Sequence, residues 1–323
     1  MLCSQRWRLE PKHWRPKQIP WPRTVAIPWT SIHPREFIMA SKPILITGAT
    51  GKTGSRVMGR LKSLGFDARS GSRKAPVPFD WDNPATWEKA LRGIGAVYVN
   101  YHPDYAFPGA IANLTRFTRV AASCGIERLV ILTGRGEHHA QLGEAVVAKS
   151  GLDYTIVRSA WFAQNFSEGA LWEPVMEGVV PMPGANLAEP IIDIDDLADV
   201  IAVSLTGEGH SGQTYDCTGP RLLDFAEVAD ILSGAMGRRV NYLPISFDDF
   251  HAELAATSGT VFADIVTGIA RETFDGRNAV LGDGVMRALG RQPRDFTEFA
   301  QSAALAGKWA NAAWEMKTNR STS

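Results

Sequence analysis

The sequence predicts an α/β fold: a Rossmann-like doubly wound parallel sheet with a smaller, helix-rich C-terminal lobe. Three observations carry that expectation. Short apolar runs alternate with helical patterns from Ile44 to Arg158, as in β-α units that feed one parallel sheet. A glycine-rich turn, Gly48-x-x-Gly51-x-x-Gly54, separates the first run from the first helix. After Asn165 the alternation gives way to longer helical stretches.

The elements follow in order. Ile44, Leu45 and Ile46 form an apolar run suited to a strand buried on both faces. Val57, Leu61 and Leu64 fall at helical spacing, and Gly65 ends that helix. Phe66 to Ser70 predicts a second strand and Pro76 to Trp81 a third. A helix over 84–91 follows, with Asn83 as its cap. "GAVYVN" reads as a fourth strand, 108–123 as a helix, "RLVILT" as a fifth strand, 137–150 as a helix and "DYTIVR" as a sixth strand. In the second half, 170–184 predicts a helix and a strand. "IDIDDLADVIAVSL" predicts a short strand, then a helix capped by Asp195. A strand over 212–219, a helix over 224–237 and a strand over 238–245 come next. Helices over 246–256 and 259–274 complete the lobe, which is expected to cover a substrate cleft.

Four segments are expected. Residues 1–38 are rich in Pro, Trp and Arg, with prolines at 11, 16, 20, 22, 28 and 34 that forbid a long helix. They read either as a disordered leader that binds a partner through its aromatics or as a start assigned too far upstream. The second is favoured, because the fold begins directly after Met39. Residues 39–160 form the dinucleotide-binding Rossmann domain. Residues 161–308 form a C-terminal substrate lobe interleaved with the core, and 309–323 a disordered tail.

Composition narrows the function. Lys+Arg and Asp+Glu are both 34 in 323 residues, so the net charge is zero and no electrostatic pull toward nucleic acid or anionic membrane is expected. No apolar run has the length of a signal peptide or a membrane span. Three scattered cysteines, at 3, 124 and 217, form no CxxC and no disulfide framework, which fits a reducing cytoplasm. The expected partner is a small-molecule substrate, and the expected state a monomer or homodimer.

The glycine turn carries the chemistry. Between strand and helix, Gly48 permits a sharp turn, Gly51 lets backbone approach a pyrophosphate, and Gly54 lets the helix pack close to the sheet. The helix N-terminus then points free N–H groups at the anion. The turn is not a Walker A loop, because Ile46 stands where the first glycine would be needed. A dinucleotide domain specific for NAD places an acid at the end of its second strand. Here Arg73 and Lys74 follow that strand instead. Two cations suit a 2′-phosphate, so NADP(H) is preferred, with NAD(H) possible.

The segments "ITGATGKTGSRV", "PFDWDNPATWEKAL", "RLVILTG", "SGLDYTIVRSAWFAQNF", "IDIDDLADVIA" and "GRQPRDFTEFA" together resemble the NmrA-like atypical short-chain dehydrogenases/reductases. "FDWDNPATW" further resembles the festuclavine and agroclavine reductase branch, and the general pattern the NADPH quinone reductases. The resemblance covers Pro43 to about Gly307. It implies cofactor contacts at Gly48, Thr50, Gly51, Lys52, Thr53 and Gly54. It also implies a ribose-phosphate contact near Arg73 and adenine contacts near Asp80 and Trp81. The nicotinamide would lie near Asn100-Tyr101 and Thr133.

Ordinary short-chain dehydrogenases use Tyr-x-x-x-Lys to pass a proton. Here His102, Tyr105, Gly109, Arg158, Gly219 and Ser246 stand four residues after the tyrosines. The relay is absent. Acceptors that need little acid help are therefore favoured, such as a quinone or an iminium or enone-type compound, with the cofactor supplying hydride. Non-catalytic NAD(P) sensing is the alternative. Candidate catalytic residues are Tyr101, His102 and Thr133. Tyr101 or His102 could serve as an acid, with the loop equally explained as packed by Tyr101 and turned by Pro103. Thr133, where a catalytic serine might stand, is better explained as a cofactor or loop contact. Trp161, Phe162 and Asn165, with Tyr101, are candidate pocket residues that would stack on a flat substrate or pack between the lobes. Metal ligation by His138 and His139, or by Asp193, Asp195 and Asp196, is disfavoured. Helix starts, caps and a solvated first turn explain those residues better.

Overall fold

Ile44 to Thr47 are fully buried, as an apolar strand covered on both faces should be. They form β1 (Ile44–Thr47) of the computed structural model, which describes residues 42–184 and 187–310. Residues 1–38 and Met39 lie outside the described residues, as does the tail after Ala310. β1 is flanked by β2 (Ala68–Gly71) and β3 (Ala96–Val99). β4 (Arg128–Gly134), β5 (Asp153–Ser159) and β8 (Gln213–Cys217) complete a six-stranded parallel sheet of order β2-β1-β3-β4-β5-β8. The expected α/β Rossmann-like fold is present.

Two segments differ from expectation. Residues 76–81 form no strand. Pro76 and Pro78 each lack the N–H that a ladder needs, and the segment instead packs Phe79 and Trp81 as buried side chains. Ile192-Asp193 makes only a single bridge, between Phe162 and Ile192.

The helices cover both faces. α1 (Lys52–Ser63) and α7 (Ile194–Thr206) pack on one face through Val57, Leu61, Leu197 and Ile201. α2 (Trp87–Leu91), α3 (Ala110–Ser123) and α4 (His138–Ala148) cover the other, where Trp87, Leu114 and Phe117 are buried. Beyond β5, the short helices α5 (Asn165–Glu168) and α6 (Trp172–Glu177) lead to β6 (Val179–Met182) and β7 (Ala188–Glu189). β9 (Leu223–Asp224) pairs with β7, and β10 (Asn241–Pro244) pairs with β6. α8 (Phe225–Met236), α9 (Phe247–Ser258), α10 (Thr260–Thr273), α11 (Gly284–Leu289) and α12 (Phe296–Leu305) complete the described order.

A third core gathers Phe166, Val175, Phe225, Phe274, Phe296 and Trp309. Trp309 falls in the expected disordered tail, yet it is buried and its Nε1 donates to the Phe166 carbonyl at 2.9 Å.

α7 is capped by Asp193, whose side chain accepts from the Asp195 N–H, so Asp195 is not the cap. Asp196 is not in a solvated first turn. It is fully buried and bound by Arg291 and Arg294. A buried carboxylate is tolerated only when it is paired in this way.

Candidate functional site

In an open parallel sheet, ligands sit beyond the carboxyl ends of the strands, where the chain switches direction. Here that point lies between β1 and β3, since β2 sits on one side of β1 and β3 on the other. The loops after β1, β2, β3, β4 and β5 all converge there.

The cradle is built from Gly48 to Gly54. Gly48 adopts φ +63°, a conformation that glycine enters freely. Gly51 is the N-cap of α1, with no side chain satisfying the first-turn N–H groups and no acid in that turn. Those donors remain open to an anion. Gly54 permits a close crossing: a Cβ there would lie 2.2 Å from the Gly48 carbonyl oxygen.

Asn100 ties the cradle to β3. Its backbone N–H donates to Thr47 Oγ1 at 2.8 Å and its Nδ2 to Thr53 Oγ1 at 3.4 Å. The Trp81 indole N–H donates to the Asn100 carbonyl at 3.2 Å.

Two cavities adjoin at this point. The first, of 530 Å³, is lined by Gly48, Thr50, Gly51, Arg73, Lys74, Asp80 and Trp81, among others. Arg73 and Lys74 are exposed there. Trp81 forms a wall, buried against Phe79, Trp87 and Tyr101. The second, of 470 Å³, is lined by Lys52, Thr53, Tyr101, Thr133, Trp161, Phe162 and Asn165, with Ile269, Thr273 and Asn278 reaching in from later in the chain. Gly51, Asn100 and His102 line both. The two cavities therefore adjoin, with the cradle at their junction and the second forming an aromatic-walled recess.

Each candidate donor has a definite setting. Tyr101 is buried, and its hydroxyl accepts from Asn113 Nδ2 at 3.2 Å. Burial raises its pKa, against that hydrogen bond. Thr133 Oγ1 donates to Glu144 Oε1 at 2.9 Å, and Arg158 holds the same carboxylate with two bonds. The Thr133 proton is thus directed into the protein. His102 is exposed at the junction of the two cavities. Lys52 lines the second cavity, where its Nζ donates to Asn165 Oδ1 at 2.8 Å. Burial lowers the Lys52 pKa, with Glu168 opposing. Trp161 stacks at a tilt on Phe274, 4.9 Å between ring centroids, while lining the recess.

The structure adds groups that the sequence does not single out. Glu137 lines the recess, and burial, then Asp104 and Glu272, push its carboxyl up to about 8. Glu189 is buried with both oxygens unpartnered among the described residues, and burial pushes it up to about 7 with Arg135 opposing. A glutamate opening a helix is an ordinary helix start in sequence, so nothing local marks Glu137. His138 and His139 are exposed at the start of α4. No cluster of three His, Cys, Asp or Glu able to hold a metal occurs among the described residues.

The fold is Rossmann-like, with two adjoining cavities at the switch point of its sheet. The motifs resemble the NmrA-like atypical short-chain dehydrogenases/reductases, and the relatives this chain is similar to include oxidoreductases. No family model matches the sequence. An "uncharacterized oxidoreductase YesF" of Bacillus subtilis is 29% identical over 288 residues, covering 85% of this chain and 99% of the relative. An NAD(P)H azoreductase of Xenophilus azovorans is 29% identical over 81% of this chain and 98% of its own. A festuclavine dehydrogenase of Aspergillus fumigatus is 28% identical over 80% and 96%. Among solved structures, a Citrobacter sp. triphenylmethane reductase complexed with NADP(H) has a TM-score of 0.65 at 21% identity, covering 81% of this chain and 99% of its own. NmrA, a negative transcriptional regulator in complex with NAD, has a TM-score of 0.62 at 15% identity over 84% and 98%. No helix among the described residues is long and apolar enough to cross a membrane.

Proposed function

We propose that this chain is an NADPH-dependent oxidoreductase that reduces a small planar acceptor, a quinone or an iminium or enone-type compound. The observation that carries the reading is the pair of adjoining cavities, one along the glycine cradle and one walled by aromatics, which share Gly51, Asn100 and His102. The residues present fit a dinucleotide. The Gly48–Gly54 crossing leaves the backbone bare, and the first-turn N–H groups of α1 carry no competing side-chain cap. Gly48 to Gly54 would hold the pyrophosphate, and Arg73 with Lys74 the 2′-phosphate. Asp80 and Trp81 would border the adenine end, and Asn100 and Thr133 the nicotinamide end. When bound, reduced nicotinamide supplies a hydride.

The recess sets the acceptor. Trp161 and Tyr101 present aromatic surface that suits a flat partner. Relatives include an NAD(P)H azoreductase and a festuclavine dehydrogenase. This chain's residues orient the acceptor and exclude water.

A second reading is favoured by the setting of Thr133, whose hydroxyl proton is directed into the protein to Glu144. A site that binds a dinucleotide without passing its electrons on would act as a redox sensor, and the NmrA regulator shares the fold. Loss of NADPH absorbance in the presence of quinones, cyclic imines and azo compounds separates the two. Turnover of any of them supports the oxidoreductase. Tight binding of NADPH and NADP⁺ with no turnover across the panel supports the sensor.

Arg73→Ala tests the cofactor preference. A lost charge-assisted contact to phosphate is worth ~1.5–3 kcal/mol, so NADPH affinity should fall roughly 10–100-fold. NADH affinity should stay within about twofold, since NADH has no 2′-phosphate. Equal losses for both, measured by calorimetry, would remove Arg73 from that role.

A further inference from the structure

Glu137 is the N-cap residue of α4, but its side chain makes no capping hydrogen bond. Its carboxyl folds back over Gly134 at the end of β4, where a Cβ on Gly134 would lie 1.8 Å from Glu137 Oε1. It lines the recess with His102, Asp104 and Trp161. Among the described residues its carboxyl has no hydrogen-bond or ion-pair partner. The neighbouring cations are spent elsewhere. Arg135 pairs with Asp216, Arg158 with Glu144, and Arg277 with Asp275 and Glu272.

Two more carboxyls face it, Asp104 from the loop after β3 and Glu272 from α10. Glu272 accepts from the His138 N–H at 3.2 Å. His138 and His139 stand exposed beside it on α4, and His139 acts on Asp104. A carboxyl that lacks a counter-ion and faces acidic neighbours is held in its neutral, proton-bearing form.

We propose that Glu137 is the acid of this site, giving the acceptor the proton that the missing tyrosine–lysine pair would otherwise supply. The inference rests on reading the adjoining cavities as a site of hydride reduction. The balance is simple. The acceptor gains a hydride, with its two electrons, from reduced nicotinamide. The Glu137 O–H bond breaks as a new O–H or N–H bond forms on the acceptor. Glu137 is left as a carboxylate and regains its proton from solvent. A quinone, whose hydride adduct water would otherwise protonate, and an azo compound, whose nitrogen must gain a proton, would both be helped by such an acid. The pKa of about 8 accords with this, since the acid form prevails at neutral pH.

The test is Glu137→Gln, an isosteric change that keeps hydrogen-bonding capacity but cannot release a proton. With NADPH and a quinone, kcat should fall at least about 100-fold, while NADPH affinity stays within about twofold by calorimetry. The wild-type kcat should decline as pH rises through about 8, and the variant should lack that limb. Infrared difference spectra of the wild-type chain with bound NADP⁺ should show a protonated carboxyl titrating near pH 8, absent from Glu137→Gln. A variant that keeps the wild-type kcat and alkaline limb overturns the proposal alone. So does a carboxyl band that titrates only near the ordinary ~4.3. A wild-type chain that binds NADPH yet reduces nothing overturns the oxidoreductase reading and the proton transfer with it.

Discussion

Gly54→Ala is expected to cost this protein its dinucleotide affinity. The new Cβ would lie 2.2 Å from the Gly48 carbonyl oxygen and 2.7 Å from the Gly48 carbonyl carbon. Both are backbone atoms of the cradle, so no flexible side chain can move aside. Either α1 lifts from the loop or the loop distorts, and both displace the N–H groups that would face the pyrophosphate. Overpacking of this kind costs ~1–3 kcal/mol of stability. Each lost hydrogen bond to a charged group costs ~1.5–3 kcal/mol of binding, so losing one or two weakens NADPH about 10- to 20,000-fold. Gly59→Ala is the matched control. It lies on the exposed side of the same helix with nothing within 4 Å of the new Cβ, and should be neutral or stabilising by ~0.4–1 kcal/mol. Calorimetric titration of both variants with NADPH checks the pair. Wild-type affinity in Gly54→Ala would show that the crossing is not what shapes the cradle.

Asp196→Ala carries the largest expected loss of stability. Asp196 is fully buried on α7. Its Oδ2 accepts the Arg294 backbone N–H at 2.7 Å, and its Oδ1 meets Arg291 and Arg294. Asp199, one turn on, shares both arginines and also binds Arg60 of α1 at 2.6 Å. The cluster ties the segment after α11 to α7, and α7 to the helix that carries the cradle. Removing one partner from a buried ionic set leaves uncompensated charge and costs ~3–5 kcal/mol. At roughly 2–4 °C per kcal/mol for a chain of this size, Tm should drop by about 6–20 °C. A drop under ~2 °C would mean that water replaces the carboxylate at little cost. Asp196→Asn should fall between, since an amide keeps one acceptor for the Arg294 N–H.

How much of this was legible before the structure depends on whether the signal is local. β1, the glycine turn and α1 are, because a both-face-buried strand, a φ-permissive turn and a 3.6-residue apolar period each fit within a few residues. Residues 76–81 misled because the apolar content of Val77, Phe79 and Trp81 suits a strand while Pro76 and Pro78 veto one. The prolines should have outweighed the pattern. Asp196 reads as part of a solvated turn in sequence because its arginines stand far away, at 291 and 294. Glu137 was hidden for the same reason. Its neighbours Asp104 and Glu272 come from other segments, and only the fold brings three carboxyls toward one recess. The candidate donors were legible as residues at strand ends. Their commitments, Tyr101 to Asn113 and Thr133 to Glu144, were not.

The central claim is that an acceptor seated in the aromatic recess receives hydride from a dinucleotide held in the glycine cradle. Its most direct test follows the hydrogen itself. The protein is incubated with a cyclic iminium acceptor and NADPH stereospecifically deuterated at the reactive nicotinamide carbon, each face in turn, and the product is read by mass spectrometry. The account predicts one deuterium on the former iminium carbon for one of the two labelled cofactors and none for the other. Product without deuterium from either, or no product while NADPH stays bound, would contradict it.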